Sequence, residues 1–327
     1  MDRNHPILGF FHEWVREFSA EAERVEVIVL EAGQYDLPAH VTVRSLGKER
    51  GSSKAGQLVR FWWYFGHAFF IVRPTHVFFH MGAIMNVLAA PFWFLSFITR
   101  TRFYWWKAHG HINVFGRFAS LFVDRIYTST ESGFPIKTKK RYVIGQAIDP
   151  NYFTPNESVR VPKRVLFAGR ISPTKKIEEF IATARLLEPV GYSFVIIGPV
   201  CDEVYEATLK ELAAGTNIEF AGAKSPDELR RYYQEADIFL NPSQTNSMDK
   251  TVLEAALSGA LPVTSNIAFI ALLQQYGLYV SDPSGERFAE VIRDIDVSNT
   301  VRNAIRSEII ATHSLDTFAE RVFGDKK

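Results

Sequence analysis

The 327-residue chain contains a single cysteine, Cys201. That excludes an intrachain disulfide and a cysteine-based metal cage, and it fits a reducing, cytoplasmic setting. Charge of one sign is also lacking: 37 Lys and Arg face 36 Asp and Glu. A net charge of +1 gives no argument for nucleic acid as a partner. Low-complexity tracts are absent, and so are internal repeats beyond an alternation of strands and helices. The opening MDRNHPILGFFHEW reads as amphipathic rather than as a charged-then-apolar signal peptide. His76, His80, His109 and His111 have no acidic or cysteine partners at ligand spacing, so no metal and no cofactor is expected. Asp294 and Asp296 stand two apart near a helix end, where carboxylates cap the backbone more readily than they bind a metal.

What is present points to a globular protein. Apolar residues make up 47% of the chain and charged residues 22%. The length exceeds one ordinary core and suits two domains. Aromatic content reaches 14%, much of it in residues 61–106. The run MGAIMNVLAAPFWFLSFI is long enough to consider as a membrane span. Asn86 and Pro91 interrupt it, and His80 and Arg100 bracket it. A membrane-facing surface and a buried helix are the two readings that remain beside a true span.

Residues 6–22 have helical spacing, with Pro6 suited to the first turn. VEVIVLEAG (25–33) and HVTVRSLG (40–47) read as strands, GQLVRFWWYFGHAFFIV as a helix, and THVFFH (75–80) as a buried strand. A helix over 83–97, a strand entering the loop at 102–111, a helix over 114–123 and strands at 125–130 and 141–149 follow. The polar stretch 150–163 contains three prolines and reads as a linker. The alternation then restarts with RVLFAGR and continues to DIFLNPS, and a last helix is predicted from Leu315 to Val322, capped by Ser314. Strands alternating with helices imply α/β domains with doubly wound, mostly parallel sheets.

Two segments carry candidate chemistry. VLFAGRISPTKK (165–176) places Gly169, Arg170 and Lys175 after a strand. The glycine permits close approach, and two cations beside a helix start suit a diphosphate. NPSQTNSMDKTVLEAALSGALPVTSN (241–266) runs from a strand end through a polar loop into a short helix. A loop at a strand's carboxyl end that feeds a helix is where open α/β sheets bind phosphorylated ligands. Glu254 sits in that otherwise apolar helix, where a carboxylate costs free energy unless something binds it. Taken singly, Glu254 also fits a solvated outer face, and Lys175 and Lys176 fit solvated first-turn residues.

Together, VLFAGRISPTKK, FVIIGP, IEFAGAKSPDELRRYYQEADIFLNPS and LEAALSGALPV resemble the retaining glycosyltransferases of family 4. IGQAIDPNYF (144–153) is similar to that family's turn between domains, and WWKAHG (105–110) to its segment with a histidine near the reacting sugar. The resemblance implies a GT-B architecture: two Rossmann-like domains facing a cleft. Residues 1–150 would form the acceptor side and 151–327 the nucleotide-sugar side, the last helix packing back on the first domain. It implies a hexosyltransferase acting from a nucleotide-diphosphate sugar on a cell-envelope or lipid-linked glycan, with peripheral contact at the inner face of the membrane. Arg170 and Lys175 would hold the diphosphate and stabilise the leaving group. Glu254 would bind the ribose, and the backbone N–H groups of Met248, Asp249 and Lys250 the phosphate. Asn246, Ser247 and Gly169 would complete the donor site, and His109 would contact the donor sugar.

The sequence departs from that pattern in three places. Asn246 stands where the family has the first of two glutamates; it can bond a sugar hydroxyl but carries no charge. Asp249 stands where the family has glycine. Its carboxylate would repel a diphosphate unless it points away or caps the helix, with Lys250 as an offset. The family's first strand is missing ahead of the first helix, as expected for an internal start or a truncated chain. Other activities on the same architecture remain open: a nucleotide-sugar epimerase, a phosphorylase, or a non-catalytic nucleotide- or glycan-binding relative.

Overall fold

A computed structural model describes residues 1–3, 5 and 8–324. The predicted first-turn role of Pro6 lies outside the described residues. The chain divides into two compact units, one formed by residues up to Ala147 together with those from Leu315 onward, the other by Ile148–Ser314.

The first unit runs α1 (Phe10–Ala20), β1 (Val25–Val29), β2 (Val41–Ser45), α2 (Lys54–His67), β3 (His76–His80), α3 (Ala83–Leu88), α4 (Ala90–Thr99), β4 (Arg102–Trp106), α5 (Val114–Ala119), β5 (Arg125–Thr128) and β6 (Arg141–Val143). A single π-helical turn, Ala68–Val72, extends α2. The apolar run predicted as one helix over 83–97 is two helices: Pro91 cannot donate a backbone hydrogen bond, and the chain restarts there as α4. Neither is long enough to span a bilayer. From Phe103 to Trp106 β4 is buried on both faces, as that aromatic run requires. Phe103 and Trp105 pack with Phe65, Phe69 and Phe92, while Tyr104 and Trp106 pack with Trp14, Phe318 and Val322.

The strands of this unit do not form one sheet. β3-β4-β5-β6 make a four-stranded parallel sheet, and β1-β2 a separate parallel pair. Among the described residues, the outer edges of β1 and β3 carry no strand partner, and both strands line one cavity of about 1450 Å³. Val15, Phe18, Phe61 and Phe65 line it as well.

The second unit runs β7 (Arg164–Ala168), α6 (Ile177–Leu187), β8 (Ser193–Ile197), α7 (Glu203–Leu212), β9 (Glu219–Gly222), α8 (Pro226–Glu235), β10 (Ile238–Asn241), α9 (Lys250–Leu257), β11 (Leu261–Thr264), α10 (Ile270–Leu273), α11 (Gly285–Asp294) and α12 (Asn299–His313). Its five parallel strands are ordered β11-β10-β7-β8-β9. The order reverses between β7 and β10, which makes their carboxyl ends the topological switch point. Gly198 follows β8 with φ +155°, and a Cβ there would lie 1.7 Å from the carbonyl oxygen of Gly169. Only glycine lets the loops after β7 and β8 approach this closely.

Two expectations are corrected here. The stretch 150–163 is not a free linker: Arg306 donates to the carbonyls of Pro150 and Phe153, Gln234 to that of Thr154, and the Val161 N–H to that of Glu235. The prolines remove donors from this segment, and side chains of α8 and α12 bind its carbonyls. The last helix, α13 (Phe318–Phe323), starts later than predicted, at the Thr317 cap, while Ser314 ends α12. α13 belongs to the first unit, where Tyr127 donates to the Val322 carbonyl at 2.6 Å. Asp296 does not cap a helix end: it lies two residues ahead of the Ser298 N-cap of α12, where its carboxylate accepts from the Ser298 N–H and hydroxyl.

Candidate functional site

The switch point of the second unit assembles most of the candidate residues. β7 and β10 are buried along their whole lengths apart from Arg164, so their register fixes where the following loops begin. After β7 come Gly169 and Arg170; after β10 comes the polar loop 242–249, which feeds α9.

Lys175 ends a short 3-10 turn, and its side chain is buried. Its Nζ lies 2.7 Å from Oδ1 of Asp249. The other carboxylate oxygen of Asp249 accepts from Asn241 Nδ2 and from Ser243 Oγ, each at 3.0 Å. Asp249 is the N-cap residue of α9 without a side-chain capping bond, so the capping expectation is not met, and its ion pair is with Lys175 rather than Lys250. A carboxylate with three donors is well satisfied, and it already neutralises the lysine expected to meet a diphosphate.

Lys250 and Glu254 stand one turn apart on α9, and Tyr233 of α8 donates to Glu254 Oε2 at 3.1 Å. Burial pushes the Glu254 carboxyl above its ordinary range, and the Lys250 charge and the Tyr233 hydrogen bond only partly oppose this. Burial likewise holds the Lys250 ammonium well below its usual value, opposed by Glu254. The fully buried Tyr233 hydroxyl is raised, first by burial and then by the adjacent carboxylate. α9 carries its carboxylate inward because Val252, Leu253, Ala255 and Ala256 around it are all buried.

Arg170 is exposed, and no hydrogen bond or ion pair joins it to another described residue. Asn246 is exposed, Ser247 half-buried and Met248 buried. The loop is braced from below by residues the sequence reading did not single out. Ser265 Oγ donates to the Pro242 carbonyl at 2.8 Å, and Asn266 Nδ2 to the Ser247 carbonyl at 2.9 Å and to Thr245 Oγ1 at 3.1 Å. The signal for these was available: Ser265-Asn266 closes a strand at the same carboxyl edge as the loop.

His109 belongs to the first unit. It is exposed in the loop after β4, and its Nδ1 accepts from the His111 N–H at 3.1 Å. Nearby Lys107 is lowered by burial. His80 packs among Phe10, Phe11 and Trp14, with ring centroids 4.7–5.9 Å away. Among the described residues, no group of three or more His, Cys, Asp or Glu could hold a metal ion. Cys201 is exposed.

Residues 162–295 match the family Glycosyl transferases group 1. The amylovoran biosynthesis glycosyltransferase AmsK of Erwinia amylovora is 31% identical over 44% of this chain and 38% of that protein. The sulfoquinovosyl transferase SQD2 of Arabidopsis thaliana is 26% identical over 45% of this chain and 29% of its own. The matched part of the chain spans about a third of the length of the curated relatives it resembles. Among solved structures, sucrose-phosphate synthase from Thermosynechococcus elongatus superposes with a TM-score of 0.75 at 13% identity, covering 95% of this chain and 90% of that one. At that identity the likeness shows the fold, and the fold is GT-B.

Proposed function

Because residues 162–295 match the glycosyl transferases group 1 family and the fold is GT-B, we propose that the chain transfers a sugar from a nucleotide-diphosphate sugar to an acceptor. The observation that carries this reading is the convergence at the β7–β10 switch point. Gly169, Arg170 and Lys175 stand at one strand end, and the loop into α9 at the other. Arg170 and Lys175 meet the diphosphate, and the N–H groups of Met248, Asp249 and Lys250 add the dipole of the α9 start. Glu254, held by Tyr233, accepts from the ribose hydroxyls. Asn246 and Ser247 bond sugar hydroxyls, and His109 contributes to the sugar side.

The reaction proposed is retaining. The bond between the sugar's anomeric carbon and the donor phosphate oxygen breaks as the acceptor oxygen bonds that carbon. The acceptor proton passes to the donor's phosphate oxygen, and Arg170 and Lys175 stabilise the departing diphosphate. No metal, cofactor or protein nucleophile enters this scheme. The acceptor is a cell-envelope or lipid-linked glycan met at the inner face of the membrane. The Erwinia relative, named for amylovoran biosynthesis, favours a glycan acceptor.

A thermal-shift screen of UDP, GDP and their sugar conjugates tests the donor assignment, since a ligand of the native state raises the melting temperature by mass action. No stabilisation by any of them refutes it. The Lys175–Asp249 pair favours one second reading, a nucleotide- or glycan-binding relative without turnover, because the lysine is already neutralised. Calorimetric binding of UDP or GDP with neither transfer nor hydrolysis of the sugar conjugate identifies that case.

A further inference from the structure

One face of the four-stranded sheet of the first unit is covered by α2 with its π-turn, α4, and α5 with the 3-10 turn that follows. Their inner sides are conventional core: Phe61, Phe65, Phe69, Phe92 and Ala119 are buried against Phe103 and Trp105. Their outer sides are apolar as well. Phe97 is 88% exposed, Ile98 74%, Trp63 71%, Ile71 71%, Val59 69% and Phe94 64%. The elements adjoin one another: Trp62 and Phe70 of the first lie 5.5 and 5.8 Å from Phe92 of α4, and Phe94 lies 5.7 Å from Phe122. Soluble monomers rarely leave so many large side chains in water on neighbouring helices.

The charge around this face selects its partner. From Arg50 to Val123 the sequence contains no Asp and no Glu. Lys54, Arg73, Arg100, Arg102 and Arg117 in that stretch are all exposed. Arg73 ends the π-turn and Arg100 ends α4, each in the left-handed region, so a cation stands where each apolar helix stops. The whole chain is nearly neutral, so the cations here are balanced elsewhere in the molecule. Ten residues make α4 about 15 Å long, roughly half a bilayer's hydrocarbon thickness. Among the described residues, no helix is long and apolar enough to cross a membrane. An apolar, Trp-bearing helical surface whose own stretch of chain carries cations and no carboxylates is the composition that lies in a bilayer interface.

We propose that the outer face of α2, α4 and α5 docks on an anionic phospholipid bilayer. The aromatic and aliphatic side chains enter the headgroup–acyl boundary, and Arg73, Arg100 and their neighbours meet lipid phosphates. The inference gives a place to the membrane contact proposed above, yet it stands on residues the donor site does not use.

The test is flotation of the full chain with vesicles of equal parts phosphatidylglycerol and phosphatidylcholine, and with phosphatidylcholine alone. The chain is expected to float at least about tenfold more with the anionic vesicles, an advantage that added salt reduces. Phe97→Glu with Ile98→Glu, and separately Arg73→Glu with Arg100→Glu, are expected to abolish it. Both doubles keep the wild-type melting temperature and nucleotide response, because these side chains face solvent. Equal recovery with and without anionic lipid overturns the proposal, and so does wild-type flotation by the Phe97 and Ile98 double. Light scattering that shows a lipid-free dimer dissociated by those same substitutions also overturns it, by assigning the face to a second copy. Failure of nucleotide binding in the wild type leaves the flotation result untouched and bears only on the transferase reading.

Discussion

The ammonium of Lys175 and the carboxylate of Asp249, 74 positions apart in the chain, meet at 2.7 Å across the β7–β10 switch point. A diphosphate arriving there must compete with a carboxylate already in place. Asp249→Asn removes the charge and keeps an oxygen that Asn241 and Ser243 can reach. We expect it to tighten UDP or GDP binding by about tenfold, equivalent to about 1.4 kcal/mol. Calorimetry on the two proteins checks this. Weaker binding by Asp249→Asn would show that the carboxylate assists the ligand.

Lys175→Ala and Glu254→Ala should each lower donor turnover at least about tenfold with the fold intact. Asp249 keeps the Asn241 and Ser243 hydrogen bonds when the lysine is lost. Circular dichroism establishes the fold, and release of nucleotide diphosphate reads turnover. Unchanged turnover in both variants sinks the donor-site assignment.

The Glu254 carboxyl is raised above the ordinary carboxyl value of 4.5 by burial, which makes two pH trends run in opposite directions. The ionised form accepts ribose hydroxyls, so nucleotide affinity should rise as pH rises through the elevated value. For folding, a carboxyl raised in the native state contributes stability that is full below 4.5 and is lost as pH climbs through the native value. Glu254→Gln should flatten both curves, as read by calorimetry and by chemical denaturation between pH 4.5 and neutrality. If the substitution leaves the affinity profile unchanged, the ribose contact belongs to another residue.

Gly198→Ala should destabilise the second unit by about 2 kcal/mol or more, since its Cβ would meet the Gly169 carbonyl oxygen at 1.7 Å. The clash also displaces Gly169 and Arg170, so nucleotide binding should weaken even where the protein remains folded. A melting temperature equal to wild type contradicts the close approach.

Amides on the open edges of β1 and β3 should exchange with deuterium faster than those of β4 and β7. Each of the first two strands has one strand neighbour and borders the cavity, whereas β4 and β7 have two. Equal protection would mean that the open edges are closed in solution.

Much of the second unit was legible because its signals are local. Alternating apolar runs and a glycine after β7 are set by neighbours a few residues away. The two loops that reach the switch point were readable for the same reason: each is a polar break at the end of a buried strand. What local pattern could not reveal was pairing at a distance. Lys175 with Asp249, and Tyr233 with Glu254, depend on which strands lie side by side and which way a helix turns its polar residue. The same holds for the split between β1-β2 and β3-β6, and for the return of α13 to the first unit through Tyr127 and Val322. Chain propensity sets where an element starts and stops. Burial of its apolar face against distant elements sets what each polar group finally meets, and here that second step joined a cation expected to be open to its own carboxylate.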